Sequence, residues 1–364
     1  MKTNFKSMLI LLIPAMILHM SCGGGQAVNK TENNQLSKKV RNAVLDQHIE
    51  ELAACEMQNV NCEAYNKTSA FVQEQCKDKA RRDSIIEDLF VMIEQGASPK
   101  KQAAANALNF WTGYGENNFR DNASYGKIVL EALLKEKFSS NSYVGSSLGQ
   151  LLSGWLNTSD KELFSSLVDA MKSKNTEKRG RNELIRLCSE DAMDKPEVFE
   201  VMVGIVNDVD DDKDTRIQTL NVMWRVKSED RKTTVRSIYE SMTSNPDIHI
   251  AGAAMRGLGY LQSFASYDLI EKTLTDNKNN VDWYNYGSTT LNELLRNVPD
   301  SLDKKRVFNL VKMLITNKEV DEYQRSFYVY TLSLIDTPAS KSLIGQLKKG
   351  NEKKIVDEIN RVVK

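Results

Sequence analysis

An apolar pair at positions i and i+3 recurs seven times along this chain, and that recurrence limits the available folds more than any other feature. The pairs are Leu108/Trp111, Leu148/Leu151, Leu184/Leu187, Leu220/Met223, Met255/Leu258, Leu291/Leu294 and Val329/Leu332. Their first members are separated by 40, 36, 36, 35, 36 and 38 residues. After six of the seven, a second apolar stripe opens 11 to 13 residues beyond the pair, at Leu163, Val198, Val235, Ile270, Val307 and Leu343. In the first unit an insertion over residues 113–121 delays the second stripe to about Ile128. Self-similarity at a fixed period of this size is the signature of a stacked repeat.

Both stripes have helical spacing. Val307, Leu310, Val311 and Leu314 fall at i, i+3, i+4 and i+7, one face of an α-helix. Alternating runs bounded by turn residues are scarce, so no strand is required. Pro99, Pro196, Pro246, Pro299 and Pro338 all lie between stripes. Ser98-Pro99, Ser159-Asp160 and Asp300-Ser301 read as helix starts. Two helices per unit of about 36 residues predict an all-α fold, an α-solenoid of stacked antiparallel hairpins in which each hairpin buries its apolar face against its neighbours.

The stretch Pro246-Asp247-Ile248-His249-Ile250-Ala251-Gly252-Ala253-Ala254-Met255-Arg256-Gly257-Leu258-Gly259 resembles HEAT-type repeats. Such repeats open a helix with Pro-Asp, continue with small residues that allow close helix contact, and close on Leu-Gly. Asp214-Thr215-Arg216, and Ser98-Pro99 with Ala103-Ala104-Ala105, echo the pattern more weakly. The resemblance covers roughly residues 97–350 and implies an architecture, not an activity.

The N-terminus carries an address. Lys2 and Lys6 precede an apolar run over residues 8–18, too short for the roughly 20 residues of a permanent span. The run ends at His19-Met20-Ser21-Cys22-Gly23, which resembles the lipobox of bacterial lipoproteins, although His19 and Met20 depart from it. The resemblance implies that Cys22 is acylated and becomes the first mature residue, with Gly23 favouring the outer membrane. Four segments are therefore expected: a lipoprotein signal peptide over 1–21, a flexible tether over 22–35, an N-terminal helical cap with a cysteine cluster over 36–96, and HEAT-like repeats over 97–364. The tether reaches about 20 Å on average.

Export makes a disulfide plausible among Cys55, Cys62 and Cys76. Cys55 with Cys62 is the most economical pairing and Cys62 with Cys76 nearly as good, and spacing does not choose. Zinc prefers paired two-to-four-residue gaps, which are absent, so no metal is expected. Cys188 reads as a buried small apolar residue.

The 49 basic and 49 acidic residues cancel, which argues against a nucleic-acid binder working by phosphate neutralisation. The match Gly145-x-Ser147-x-Gly149 has the form of a nucleophile elbow, with His249 the one histidine after it. An exported serine hydrolase using Ser147 and His249 is thus an alternative, but the elbow needs a strand before the serine, and a chance match within a helix is the better reading. The acids Asp208, Asp210, Asp211, Asp212 and Asp214 suggest a calcium loop. Its sixth and twelfth places hold Lys213 and Thr219, so a turn capping the next helix is favoured. His48 and His249 lack partners at ligand spacing.

Two aromatic groups remain: Trp283, Tyr284 and Tyr286, then Tyr323, Arg325, Tyr328 and Tyr330. Equivalent positions of successive repeats line up along one face, and Trp, Tyr and Arg are the types that anchor interfaces. Trp283, Tyr284, Tyr286, Tyr323, Arg325 and Tyr328 are the expected partner-binding residues. The expectation is a scaffold of the bacterial cell envelope, without catalysis or cofactor, attached to the membrane through Cys22 and binding a protein or peptide. A polysaccharide-binding solenoid using the same aromatics is a further alternative.

Overall fold

Aspartate, asparagine, serine and threonine caps mark many of the helix starts in the computed structural model of the protein, which describes residues 40–55, 62–112, 122–136, 143–296 and 302–362. Asp78 accepts the amide of Arg81, Asp160 that of Leu163 and Asp212 that of Thr215, each satisfying a donor that the first helical turn leaves open. Pro99, Pro196 and Pro338 sit in first turns, where their missing N–H costs nothing. The expected cap Ser98 is instead the first helical residue, and Ala97 takes the cap position without a side-chain bond. Pro299, Asp300 and Ser301 lie outside the described residues.

Every regular element among the described residues is a helix. Three open the fold: α1 (Ala43–Ala53), α2 (Glu63–Gln75) and α3 (Lys79–Gln95). A first and a second helix then alternate: α4 (Ser98–Trp111) and α5 (Ala123–Lys135); α6 (Val144–Ser153) and α7 (Lys161–Lys172); α8 (Lys178–Arg186), the short α9 (Glu190–Met193) and α10 (Pro196–Asn207). They continue as α11 (Lys213–Leu220) and α12 (Glu229–Met242); α13 (Ile248–Tyr260) and α14 (Tyr267–Asp276); α15 (Asp282–Arg296) and α16 (Lys304–Ile315). The chain then runs through α17 (Glu322–Ser326), α18 (Tyr328–Ile335), α19 (Pro338–Lys348) and α20 (Lys353–Val362).

The first helices touch in sequence: α1 packs on α4, α4 on α6, then α8, α11, α13, α15, α18 and α20. Each second helix packs on the first helix that follows it, as α5 does on α6, α7 on α8, α10 on α11 and α12 on α13. Those connections are five residues long at 173–177, 208–212, 243–247 and 277–281. The opposite connection carries an extra turn, such as Gly154–Asn157, Met223–Arg225 or Phe264–Ser266. The tight hairpin is therefore a second helix with the next first helix, half a unit out of phase with the sequence reading.

Thirteen of the fourteen repeating pair residues are buried, so the pairs are core positions; Leu187, at the end of α8, is half-buried. The second-stripe residues Leu163, Val198, Val235, Ile270, Val307 and Leu343 are buried too. Ile128 is not. It is 44% exposed, and the buried stripe of α5 is Gly126, Val129, Leu130 and Leu133.

Two devices bring the helices together. The first helices approach backbone to backbone, since a Cβ on Gly149 of α6 would collide with the Gly180 carbonyl of α8. A buried arginine, four residues after an acidic cap, reaches back to a carbonyl ten residues earlier. Arg181 follows Glu177 and donates to Met171 O at 2.7 Å; Arg216 follows Asp212 and donates to Val206 O at 3.1 Å; Arg325 follows Asp321 and donates to Ile315 O at 3.0 Å. Each guanidinium thereby meets an open carbonyl at the end of the preceding second helix, where a cation is favoured.

Candidate functional site

The aromatic residues picked from sequence do not form one face. Trp283, Tyr284 and Tyr328 are buried: α15 turns Tyr284, Gly287, Leu291 and Leu294 inward together at helical spacing, and α18 does the same with Tyr328, Thr331, Leu332 and Ile335. Tyr284 and Tyr328 meet edge to face at 5.5 Å, and the Tyr284 hydroxyl donates to Lys278 O at 2.7 Å. Burial pushes the Tyr328 hydroxyl well above its ordinary pKa, so it stays protonated. Arg325 is 3% exposed and pairs with Glu352 as well as with the carbonyls. These four side chains hold helices together and are not open to a partner. Tyr323 is exposed and packs edge-on against Phe327, and Tyr286 is half-buried on another helix.

Tyr286 belongs to a different constellation. Its hydroxyl and His249 Nδ1 share a hydrogen bond of 2.9 Å. Its ring lies across Gly252 of α13, where a Cβ would collide with it, so the glycine makes room for the ring. The Arg256 guanidinium sits 5.1 Å from that ring and donates to Asn221 Oδ1 at 3.1 Å. Asn221 O accepts from Trp224 Nε1 at 3.0 Å, and the Trp224 ring stacks on Tyr260 with centroids 5.2 Å apart. His249, Gly252, Arg256 and Tyr260 are spaced by three, four and four residues, one face of α13. The result is a continuous strip from α15 over α13 to the turn that follows α11.

One end of the strip opens into a cavity of about 340 Å³ lined by Glu190, Trp224, Arg225, Lys227, Tyr260 and Gln262, among others. Arg225 is held there by Arg186 O at 2.8 Å and Cys188 O at 2.9 Å, with its guanidinium 5.7 Å from the Trp224 ring. Gln262 has φ 52°, the left-handed conformation that costs a non-glycine residue energy and is often found at binding surfaces. Ring edges, guanidinium groups and amides make this recognition chemistry. Burial of the Tyr286 ring raises its hydroxyl's pKa, so the hydroxyl acts as a neutral hydrogen-bonding group.

Sequence reasoning missed this strip apart from Tyr286. The signal for α13 was present in the spacing of His249, Arg256 and Tyr260; the Trp224 contribution comes from a turn that no periodicity marks.

The other motifs have structural roles. Gly145, Ser147 and Gly149 lie inside α6, and Ser147 Oγ donates to Asn106 Oδ1. His249 is on α13 with Tyr286 as its ring partner, and α6 packs chiefly on α4, α5 and α8. Ser147 and His249 therefore form no nucleophile–base pair, which corrects the hydrolase alternative. Four of the five acids over 208–214 are engaged by neighbouring cations: Asp211 forks onto Arg181 at 2.7 and 2.8 Å, Asp208 meets Lys174 at 2.6 Å, and Lys178 bridges Asp212 and Asp214. Among the described residues no group of three or more His, Cys, Asp or Glu side chains is placed to hold a metal ion.

Cys55 and Cys62 are joined as a disulfide with Cα atoms 6.5 Å apart. Cys76 and Cys188 lie outside that disulfide, and burial pushes their thiols up to about 11 and about 12, so they are protonated and poorly nucleophilic. His48 stacks at a tilt on Phe71, 4.8 Å away. Cys22 lies outside the described residues, and no helix among those described is long and apolar enough to cross a membrane. Comparison with models of known protein families and with curated proteins matches the chain to none.

Proposed function

We propose that the chain is a scaffold of the bacterial cell envelope, an α-solenoid of HEAT-like repeats tethered through acylated Cys22, that binds a protein or peptide along the strip on α13, α15 and the turn after α11. The observation that carries this reading is the unbroken run of contacts His249–Tyr286–Arg256–Asn221–Trp224–Tyr260. It runs from α15 over α13 to the turn that follows α11, long enough to read an extended segment, and it is rich in the residue types that anchor interfaces. The uninterrupted row of first-helix contacts and the 36-residue register support the solenoid; the lipobox-like Met20-Ser21-Cys22 supports the anchor. Lipid and tether would hold the surface at the membrane and raise its effective concentration for partners there.

Crosslinking and capture from native membranes, read by mass spectrometry, tests both halves. The mature N-terminus is expected to be an acylated Cys22, and a Tyr260→Ser/Tyr286→Ser variant is expected to lose the captured partner. An unmodified start elsewhere refutes the anchor, and undiminished capture by the variant refutes the strip.

A further inference from the structure

The proposed binding surface has a sign. Most arginines of the chain are neutralised: Arg181 pairs with Asp211, Arg231 with Asp194, Arg306 with Asp268 and Glu271, and Arg325 with Glu352. Among the described residues, Arg225 and Arg256 have no carboxylate within ion-pair distance; each is held by carbonyl or amide oxygens and lies near an aromatic ring. The Nε of Arg256 is buried without a hydrogen-bond partner. Two others share the lack of a carboxylate, Arg216 with its buried carbonyl bond and Arg236 on α12. Arg225 and Arg256 lie on one strip with the half-buried rings of Trp224 and Tyr286 and the exposed ring of Tyr260. The lysine of the adjoining cavity, Lys227, is satisfied on the surface by Asp191 at 2.6 Å, and Glu190 is 3.6 Å from it.

A guanidinium held in place by neutral oxygens keeps its full charge and has lost its flexibility before any partner arrives, so it is prepared for a carboxylate fork. The rings favour the same chemistry. Trp224 and Tyr260 cover one face of each other, and guanidinium groups lie near Trp224 and Tyr286. Faces already occupied leave little room for the sugar stacking a polysaccharide would use, whereas each half-buried guanidinium keeps a terminal nitrogen beyond its carbonyl or amide bond for a side-chain carboxylate.

We infer that the strip formed by Arg225, Arg256, Trp224, Tyr260 and Tyr286 recognises an acidic, extended peptide segment of its partner. This deepens the binding reading above and rests on it.

The test is fluorescence anisotropy of the full mature chain with three labelled peptides of alternating Glu-Ser, Gln-Ser and Lys-Ser, and with polygalacturonate as competitor. The Glu-Ser peptide is expected to bind at least about tenfold more tightly than the Gln-Ser peptide, the scale of one charge-assisted pair. That preference is expected to weaken with salt. Arg256→Gln, which breaks no helix-capping bond, is expected to lose about tenfold of it; Arg225→Gln is read only after its thermal unfolding matches the native chain. Equal binding of the Glu and Gln peptides, or preference for the Lys peptide, overturns the inference. So does polygalacturonate binding through the strip when the Glu peptide does not bind. If native partner capture still depends on Tyr260 and Tyr286 in such a case, the acidic assignment alone falls; if capture is also independent of them, the binding reading falls with it.

Discussion

Two glycines in helices of the same array show how differently one residue type can be used. Gly149 faces the backbone of Gly180, and an added methyl group has nowhere to go. Gly204 on α10 has nothing within 4 Å of where a Cβ would stand. Gly149→Ala is expected to destabilise the protein by about 1–3 kcal/mol through overpacking against a rigid carbonyl. Gly204→Ala is expected to stabilise it by about 0.5–1 kcal/mol, because alanine loses less backbone freedom in a helix. Denaturant midpoints of the two variants check this, and a shift of the same sign in both contradicts the packing described. The sequence carried the small residues as a sign of close helix contact, but not which of them are in contact. That depends on the neighbouring helix, which no local pattern specifies.

At the scale of elements, the buried arginines tie a second helix to the next first helix, and the last of them also engages the C-terminal helix. Arg325 bonds Ile315 O at the end of α16, Val320 O, and Glu352 just ahead of α20. The Arg325 guanidinium, helped by Lys318, holds the Glu352 carboxyl at about 2, below its ordinary 4.5. A depressed carboxylate contributes stability that is fully present above about 4.5 and is lost as pH falls through about 2. The shift sets a ceiling of roughly 3 kcal/mol. Glu352→Gln is therefore expected to lower stability at neutral pH, with the gap to the native chain closing as pH falls from about 4.5 to about 2. Thermal unfolding across that range measures it; a gap that does not change with pH would show that the pair contributes nothing. The recurring spacing of an acidic cap and an arginine four residues later was visible at Glu177/Arg181, Asp212/Arg216 and Asp321/Arg325. Read without the preceding helix's carbonyls, however, it looks like surface charge.

For the whole molecule, the apolar register was the legible part. Burial of nearly every pair residue follows from it, as does the helical class, because apolar spacing states directly which side of a helix avoids water. The phase of the hairpins was not legible. A period says how often a unit recurs and not where it is cut, and the decision lies in the five-residue connections that follow the second helices. The binding surface was the least legible. Trp283, Tyr284 and Tyr328 are of the right type for an interface and serve as core, where Tyr284 satisfies its hydroxyl on the Lys278 carbonyl and Tyr328 packs its ring against Tyr284. Trp224, Arg256 and Tyr286 are far apart in the chain and meet only once three helices are stacked.

The central claim, that the strip on α13, α15 and the turn after α11 binds the partner, is tested most directly by photocrosslinking in native membranes. A photoreactive side chain is placed at position 260 or 286, and, as a reference, at position 201 on α10. The account predicts one partner crosslinked from 260 and 286 and not from 201, with the crosslinked peptide of that partner rich in Asp and Glu. Equal capture from all three positions, or capture from 201 alone, would contradict it.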